Sequence, residues 1–193
     1  MVSVIVSAGG DERGVVATLA ALVPGAAAGL IRDVQLINSA PDAALERVAD
    51  IAGCHLLIVT GPQGLRLTEA AKAAKSPWLL FLHAGSIPEG RWIDEMTQFV
   101  ETASLHDIRR AAVFRYARSP YATAKLGDAF KIAGRWLRGP SAEQGLLISR
   151  AHYDALGGHD ATSERTEAKL LSRLGRKDRI LFRSHVIAAS GAP

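Results

Sequence analysis

A short apolar run, Trp78-Leu79-Leu80-Phe81-Leu82, ends abruptly in His83-Ala84-Gly85-Ser86. An unbroken apolar stretch of this length, bounded by turn residues, reads as a buried parallel strand. Open α/β sheets bind their ligands at the carboxyl ends of such strands. His83, Gly85 and Ser86 therefore fall on a binding edge. The imidazole of His83 is a competent metal ligand, or else a hydrogen-bonded group at the strand end. Gly9-Gly10 follows another strand-like run, at residues 2–6, and would let a ligand approach the backbone closely. Lys72 reaches either a phosphate or only water. Other chemistries lack their patterns. Gly9, Gly10 and Gly14 do not make GxGxxG, and no GKS or GKT phosphate loop occurs. The six His and one Cys show no zinc spacing. Ser86 has no GxSxG context.

The elements that must position these residues alternate. Strands are expected at residues 2–6, 34–37, 55–59 and 78–82, from β-branched or continuous apolar runs. Asp11 caps a helix ending near Val23, where Pro24-Gly25 punctuates it. Residues 39–42 cap a second helix running through Ile51. An alanine-rich third helix spans 67–75, and Pro88 leads into a fourth over 89–103. Strands alternating with helices of this length imply βαβ units and a mostly parallel sheet, an α/β fold. In the second half, residues 111–116 and 145–149 read as strands and 179–187 as a last strand or arm. Residues 121–138, 151–156 and 163–174 read as helices.

At 193 residues the chain is expected to form one domain with a sizeable core. Residues 1–108 carry 7 Lys/Arg against 12 Asp/Glu, whereas residues 109–193 carry 16 against 7. A basic second half can attract phosphates or acidic lipids. No zinc finger, RNA-binding aromatic signature or helix-turn-helix accompanies it, so nucleic acid is not an expected partner. Cys54, the single cysteine, forms no intrachain disulfide and fits a reducing compartment. No signal-peptide pattern opens the chain, and no apolar stretch approaches the roughly 20 residues of a spanning helix. The expected location is cytoplasmic.

Four segments together resemble the family 2 glycosyltransferases and their GT-A fold, closest to the small bacterial radical-SAM/selenodomain-associated transferase 2 type. Residues 2–8 resemble the opening strand "VSVIIPTLNE", and residues 78–88 resemble "WLLFLHADTRLP". Residues 114–118 and the basic helix after them resemble that subgroup's middle. Glu143-Gln144-Gly145-Leu146-Leu147-Ile148-Ser149-Arg150, running on to Gly157-Gly158, resembles "DQGLFVRRELFEALGGF". The last is the most specific, since order, spacing and the terminal Gly-Gly all agree. The resemblance implies transfer of a sugar from a nucleotide-diphosphate sugar to an acceptor hydroxyl, with inversion. It also divides the domain into a nucleotide-binding half, 1–108, and an acceptor-side half, 109–193.

The resemblance further implies roles for single residues. The family's base opens a helix after Gly-Gly, and alignment on Leu170, Arg173 and Leu174 places Glu167 there, with Glu164 as the alternative register. The plain alternative is an acid in the first turn of a helix. The family's metal-holding Asp is Gly85 here, which leaves His83 as the ligand for Mn²⁺ or Mg²⁺. Asn38 stands where the family carries an acid after its second strand, and is either a nucleotide contact or a turn residue. Ser7 and Ala8 replace the usual Pro-Thr. Glu143 and Gln144 lie on the acceptor side, or form a turn before a strand.

In the helix expected over 121–138, Leu126, Ala129, Phe130, Ala133, Trp136 and Leu137 follow a 3.6 period, with Lys125, Lys131, Arg135 and Arg138 around them. Such a helix either packs on the sheet or lies on an anionic membrane, bringing the site to a lipid-linked acceptor at the inner face. The missing carboxylates at Asn38 and Gly85 also fit a relative that binds without catalysing. A third reading is an unrelated doubly wound nucleotide-binding protein.

Overall fold

The computed structural model describes residues 1–106, 109–117, 144–175 and 177–188. Its strands are β1 (Val2–Ser7), β2 (Ile31–Asn38), β3 (His55–Ile58), β4 (Trp78–His83), β5 (Ser86–Glu89), β6 (Ala111–Ala117), β7 (Leu146–Ser149) and β8 (Arg179–Ala188). They form one sheet in the order β3-β2-β1-β4-β7-β6-β8-β5. The half β3-β2-β1-β4 is wholly parallel, and four of the seven neighbour pairings in the sheet are parallel.

The described helices are α1 (Glu12–Ala27), α2 (Ala43–Ala52), α3 (Gln63–Ala73), α4 (Trp92–Leu105), α5 (Arg150–Ala155) and α6 (Thr166–Arg173). Two start as their sequences predict. The Asp11 carboxylate accepts from Gly14 N at 2.9 Å, and that of Asp42 accepts from Ala44 N at 2.9 Å. Each such cap contributes about 1 kcal/mol by satisfying an orphan N–H.

The central strands are buried on both faces, which is why they read as continuous apolar runs. On one face Val4, Val6, Leu80 and Leu82 pack with Leu22, Leu45, Trp92 and Met96. On the other, Ile5, Leu79 and Phe81 pack with Leu67, Ala70, Leu170 and Leu171. Burying each of these larger side chains stabilises the fold by about 1.5–3 kcal/mol. Helices therefore cover both faces, and the strand order reverses between β1 and β4. That reversal opens a crevice at the carboxyl ends of the two strands.

Several boundaries differ from expectation. Helix α1 runs through Pro24-Gly25 to Ala27. Gly25 lies against the Trp92 ring, where a Cβ would sit 2.4 Å from the indole, so packing carries the helix past its breaker. Residues 86–89 form β5, an edge strand antiparallel to β8, before α4 starts at Trp92. Pro88 is tolerated there because an edge strand need not donate on its open side. Helix α3 starts at Gln63, four residues earlier than expected. Residues 121–138 and Glu143 lie outside the described residues. Among those described, no helix is long and apolar enough to cross a membrane.

Arg150 shows why the second half seats firmly. Its guanidinium donates to the carbonyls of Ala71 and Ala74, both at 2.7 Å, satisfying the end of α3. The carboxylate of Glu95 on α4 likewise accepts from Ser184 N at 2.9 Å and Ser184 Oγ at 2.6 Å on β8.

Candidate functional site

Ser7 ends β1 and His83 ends β4, and the two are paired in register across the strand-order reversal. Parallel strands in register send paired side chains to the same face, so both side chains rise on the side covered by α3 and α6. Backbone bonds fix the rim. Ala84 N donates to Ser7 O at 2.9 Å, and Gly85 N donates to Gly14 O at 2.9 Å. Ser7 Oγ is buried and has no hydrogen-bond partner among the described residues.

The acidic turn at the start of α6 arrives at this rim. His83 Nε2 lies 2.9 Å from Glu167 Oε1 and 3.1 Å from Oε2. A carboxylate only accepts, so the hydrogen of this bond sits on Nε2. Gln63 Nε2 donates to Glu167 Oε2 at 3.3 Å from the first turn of α3. The side chains of His83 and Glu167 keep 29% and 15% of their surface exposed, so a ligand can still reach them. Inward, Glu167 borders a void of about 10 Å³ lined by Phe81, Leu146 and His159, which has room for at most one water.

Glu164 does something different. Its carboxylate accepts from Gln63 N at 3.3 Å on the exposed side. Helix α3 has no side-chain cap of its own at Pro62, so Glu164 caps it from another element.

The loop carrying both acids is anchored at each end. Gly157 and Gly158 have φ of 78° and 61°, which only glycine adopts readily. The Arg173 guanidinium donates to the carbonyls of Leu156 and Gly158. His159 N donates to Tyr153 Oη at 3.1 Å, and Tyr153 Oη lies 2.9 Å from His159 Nδ1. Burial pushes the Tyr153 phenol up, so the phenol keeps its proton and donates it to Nδ1. Burial likewise pushes His159 down to about 4, with the Glu167 charge opposing and the Arg173 charge adding to the effect. Lys169 and Thr162 hold the exposed Asp160 carboxylate below its ordinary value.

His159 makes stability depend on pH in a definite direction. Its unfolded form takes a proton near pH 6.5 and its folded form only near 4. The contribution is complete above about 6.5 and is lost as pH falls through the interval to 4, reaching about 3 kcal/mol. Urea midpoints at pH 7 and pH 4 measure this loss. His159→Phe is expected to flatten the difference, and an unchanged difference in that variant would remove His159 as its source.

The remaining expected residues are distributed as follows. Asn38 is buried at the end of β2, and its Nδ2 donates to Ala40 O at 2.9 Å, as a turn residue does. Ala8 is buried, while Gly9 and Gly10 beyond it face open space. Gln144 Nε2 donates to Phe114 O at 3.0 Å. Lys72 pairs with Glu69 at 2.8 Å on the exposed surface of α3. Gln63 and His159 were not anticipated. Pro62 followed by a polar residue was a usable signal for a helix beginning at Gln63, but nothing local pointed to its contact with Glu167.

For a divalent cation the described donors do not suffice. Gly85 brings no side chain, Ser86 is buried within β5, and His83 Nε2 is taken by Glu167. Among the described residues no three His, Cys, Asp or Glu side chains converge into a metal-holding group. A wider groove of about 690 Å³ lies elsewhere, between Arg91, Asp94 and Glu95 at the start of α4 and Arg183–His185 of β8. It lies away from the strand-order reversal, which is where α/β sheets place ligands.

No protein-family model matches the sequence, and no curated relative does. Solved structures do match. Staphylococcus aureus TarS (residues 1–349) superposes with a TM-score of 0.66 at 14% identity, over 97% of this chain and 60% of TarS. Glucosyl-3-phosphoglycerate synthase from Mycobacterium tuberculosis, solved with Mn²⁺, UDP and glucosyl-3-phosphoglycerate, gives 0.63 at 14% identity, over 94% of this chain and 68% of the synthase. The mannosyltransferase PcManGT from Pyrobaculum calidifontis, solved with GDP-Man and Mn²⁺, gives 0.61 at 15% identity, over 94% and 53%. This chain thus spans about half to two thirds of the neighbours' length. At such identities the likeness concerns architecture, and the architecture is the GT-A fold of nucleotide-sugar transferases.

Proposed function

We propose that this chain is a glycosyltransferase of family 2 type, moving a sugar from a nucleotide-diphosphate sugar to an acceptor hydroxyl with inversion. The observation that carries the reading is the meeting of Glu167 and His83 at the strand-order reversal, 84 residues apart in sequence and 2.9 Å apart in space. Glu167 is the general base. Its carboxylate takes the acceptor's hydroxyl proton while that oxygen attacks the anomeric carbon from the face opposite the diphosphate. The bond from that carbon to the diphosphate oxygen breaks, and the diphosphate leaves with the electron pair. The capping duty of Glu164 favours Glu167 over it.

The donor lies along the ends of β1 and β2. Ser7, Ala8 and Asn38 line it, and Gly9-Gly10 leave the backbone open to a phosphate. The orphaned Ser7 Oγ fits a group waiting for a ligand oxygen. Solved neighbours carry UDP, GDP-Man and UDP-GlcNAc, which suits a uridine or guanosine diphosphate sugar here. Gln144 and Glu143 are the residues assigned to the acceptor, a saccharide or a lipid-linked hydroxyl. Residues 1–193 act as one GT-A-like unit, cytoplasmic.

Isothermal calorimetry with UDP and with GDP, in buffer containing Mn²⁺, tests this reading. One of the two is expected to bind with a dissociation constant below about 1 mM, about −4 kcal/mol. Binding of neither overturns it. The absent carboxylates at Gly85 and Asn38 favour a second reading, a non-catalytic binding module. That module would bind nucleotide but leave a sugar nucleotide intact over hours with any acceptor.

A further inference from the structure

The β4–β5 turn has no place for a metal-holding side chain, and its neighbours keep it so. Gly85 has φ of 81°, in the region that L side chains avoid. Its N–H is engaged with Gly14 O at 2.9 Å. A Cβ on Gly14 would lie 2.8 Å from Gly85 N, so two glycines interlock where α1 meets the turn. Ser86 is buried and pairs with Ala188 in the sheet. His83 is the remaining donor in this stretch, and its Nε2 is spent on both oxygens of Glu167. Two solved neighbours of this fold hold Mn²⁺ with their nucleotides. The described side chains here do not reproduce such a site.

We infer that this site takes its nucleotide-diphosphate without a divalent cation, and that His83 serves instead as the positioning residue of Glu167. The inference rests on the donor reading above. His83 comes from the rigid end of β4 and Gln63 from the first turn of α3, so the carboxylate is held from two elements. A base held in this way keeps one orientation toward an acceptor hydroxyl.

The test has a binding arm and a variant arm. Calorimetry of UDP and GDP in EDTA and in Mn²⁺ is expected to give dissociation constants within about twofold, since no ligand set among the described residues links the cation to the nucleotide. A nucleoside diphosphate chelates Mn²⁺ by itself and lowers the free-Mn²⁺ electron paramagnetic resonance signal, and adding the protein to that mixture is expected to lower it no further. In turnover, His83→Ala is expected to lower kcat about tenfold or more with donor KM held within twofold, as a mispositioned base does. His83→Gln keeps an N–H near the Nε2 position but is a poor metal ligand, and is expected to recover most of that loss. Nucleotide binding tightened more than about tenfold by Mn²⁺ overturns the inference and leaves the donor reading standing. Equal loss in His83→Ala and His83→Gln also overturns it. Failure of both nucleotides to bind in either buffer removes the donor reading and this inference together.

Discussion

A Glu167→Gln protein is expected to bind its nucleotide like the parent and to turn over about 10²–10⁴ times more slowly. The substitution is nearly isosteric. The new amide oxygen still accepts from His83 Nε2, so the local packing around Thr166 and Leu170 persists and the melting temperature should move little. What disappears is the ability to take a proton from the acceptor hydroxyl. The loss should fall on kcat, because a group that acts as the bond forms contributes chiefly to the transition state. Glu164→Gln is the matched control. That residue caps α3 from the exposed side, a role worth about 0.3–1 kcal/mol of stability and nothing in chemistry. Full turnover in Glu167→Gln, or a dead Glu164→Gln beside it, would transfer the role of base to the other register.

Much of this was legible in the residues, for identifiable reasons. Strands β1 and β4 sit in the middle of the sheet, buried on both faces, so their apolar runs are unbroken and easily read. Asp11 and Asp42 announce α1 and α2 because capping is a local interaction, completed within three residues. Strand β5 escaped because its partner, β8, lies about a hundred residues away, and Pro88 taken alone reads as the start of a helix. Pro24 likewise announced a stop to α1 that Trp92, packed on Gly25, overrides. The site divides in the same way. His83 was placed at a sheet edge by its own neighbourhood. Glu167 came from the likeness of the segment after Gly157-Gly158, since no periodicity brings residue 167 to residue 83. Gln63 lies 104 residues from Glu167, and no local pattern encodes that contact. Asn38 had two readings, and its bond to Ala40 O places it in a turn without deciding against the nucleotide contact proposed for it.

Gly64→Ala is expected to lower stability by about 2–3 kcal/mol, which for a chain of this size moves the melting temperature by about 5–10 °C. The usual expectation has the opposite sign, because alanine in place of a helical glycine normally adds about 1 kcal/mol. Contact decides it. A Cβ at position 64 would stand 1.8 Å from Asp160 O, 2.7 Å from Asp160 C and 3.1 Å from Ser163 O. All three are backbone atoms and cannot rotate aside, so α3 and the 158–163 loop must separate. Separation breaks the bond from Gly64 N to Ser163 O at 3.1 Å and draws Gln63 away from both Glu164 and Glu167. Turnover should therefore fall along with stability, even under conditions where the variant remains folded. Gly53→Ala supplies the comparison. Gly53 has φ of 65° with nothing within 4 Å of its Cβ position, so that change costs only backbone strain, about 1 kcal/mol, and should leave turnover alone. Thermal melts of the two variants, with turnover measured 15 °C below each midpoint, separate the outcomes. If Gly64→Ala melted at or above the parent temperature, α3 would not be seated on the acidic turn, and the geometry that holds Glu167 against His83 would need another support.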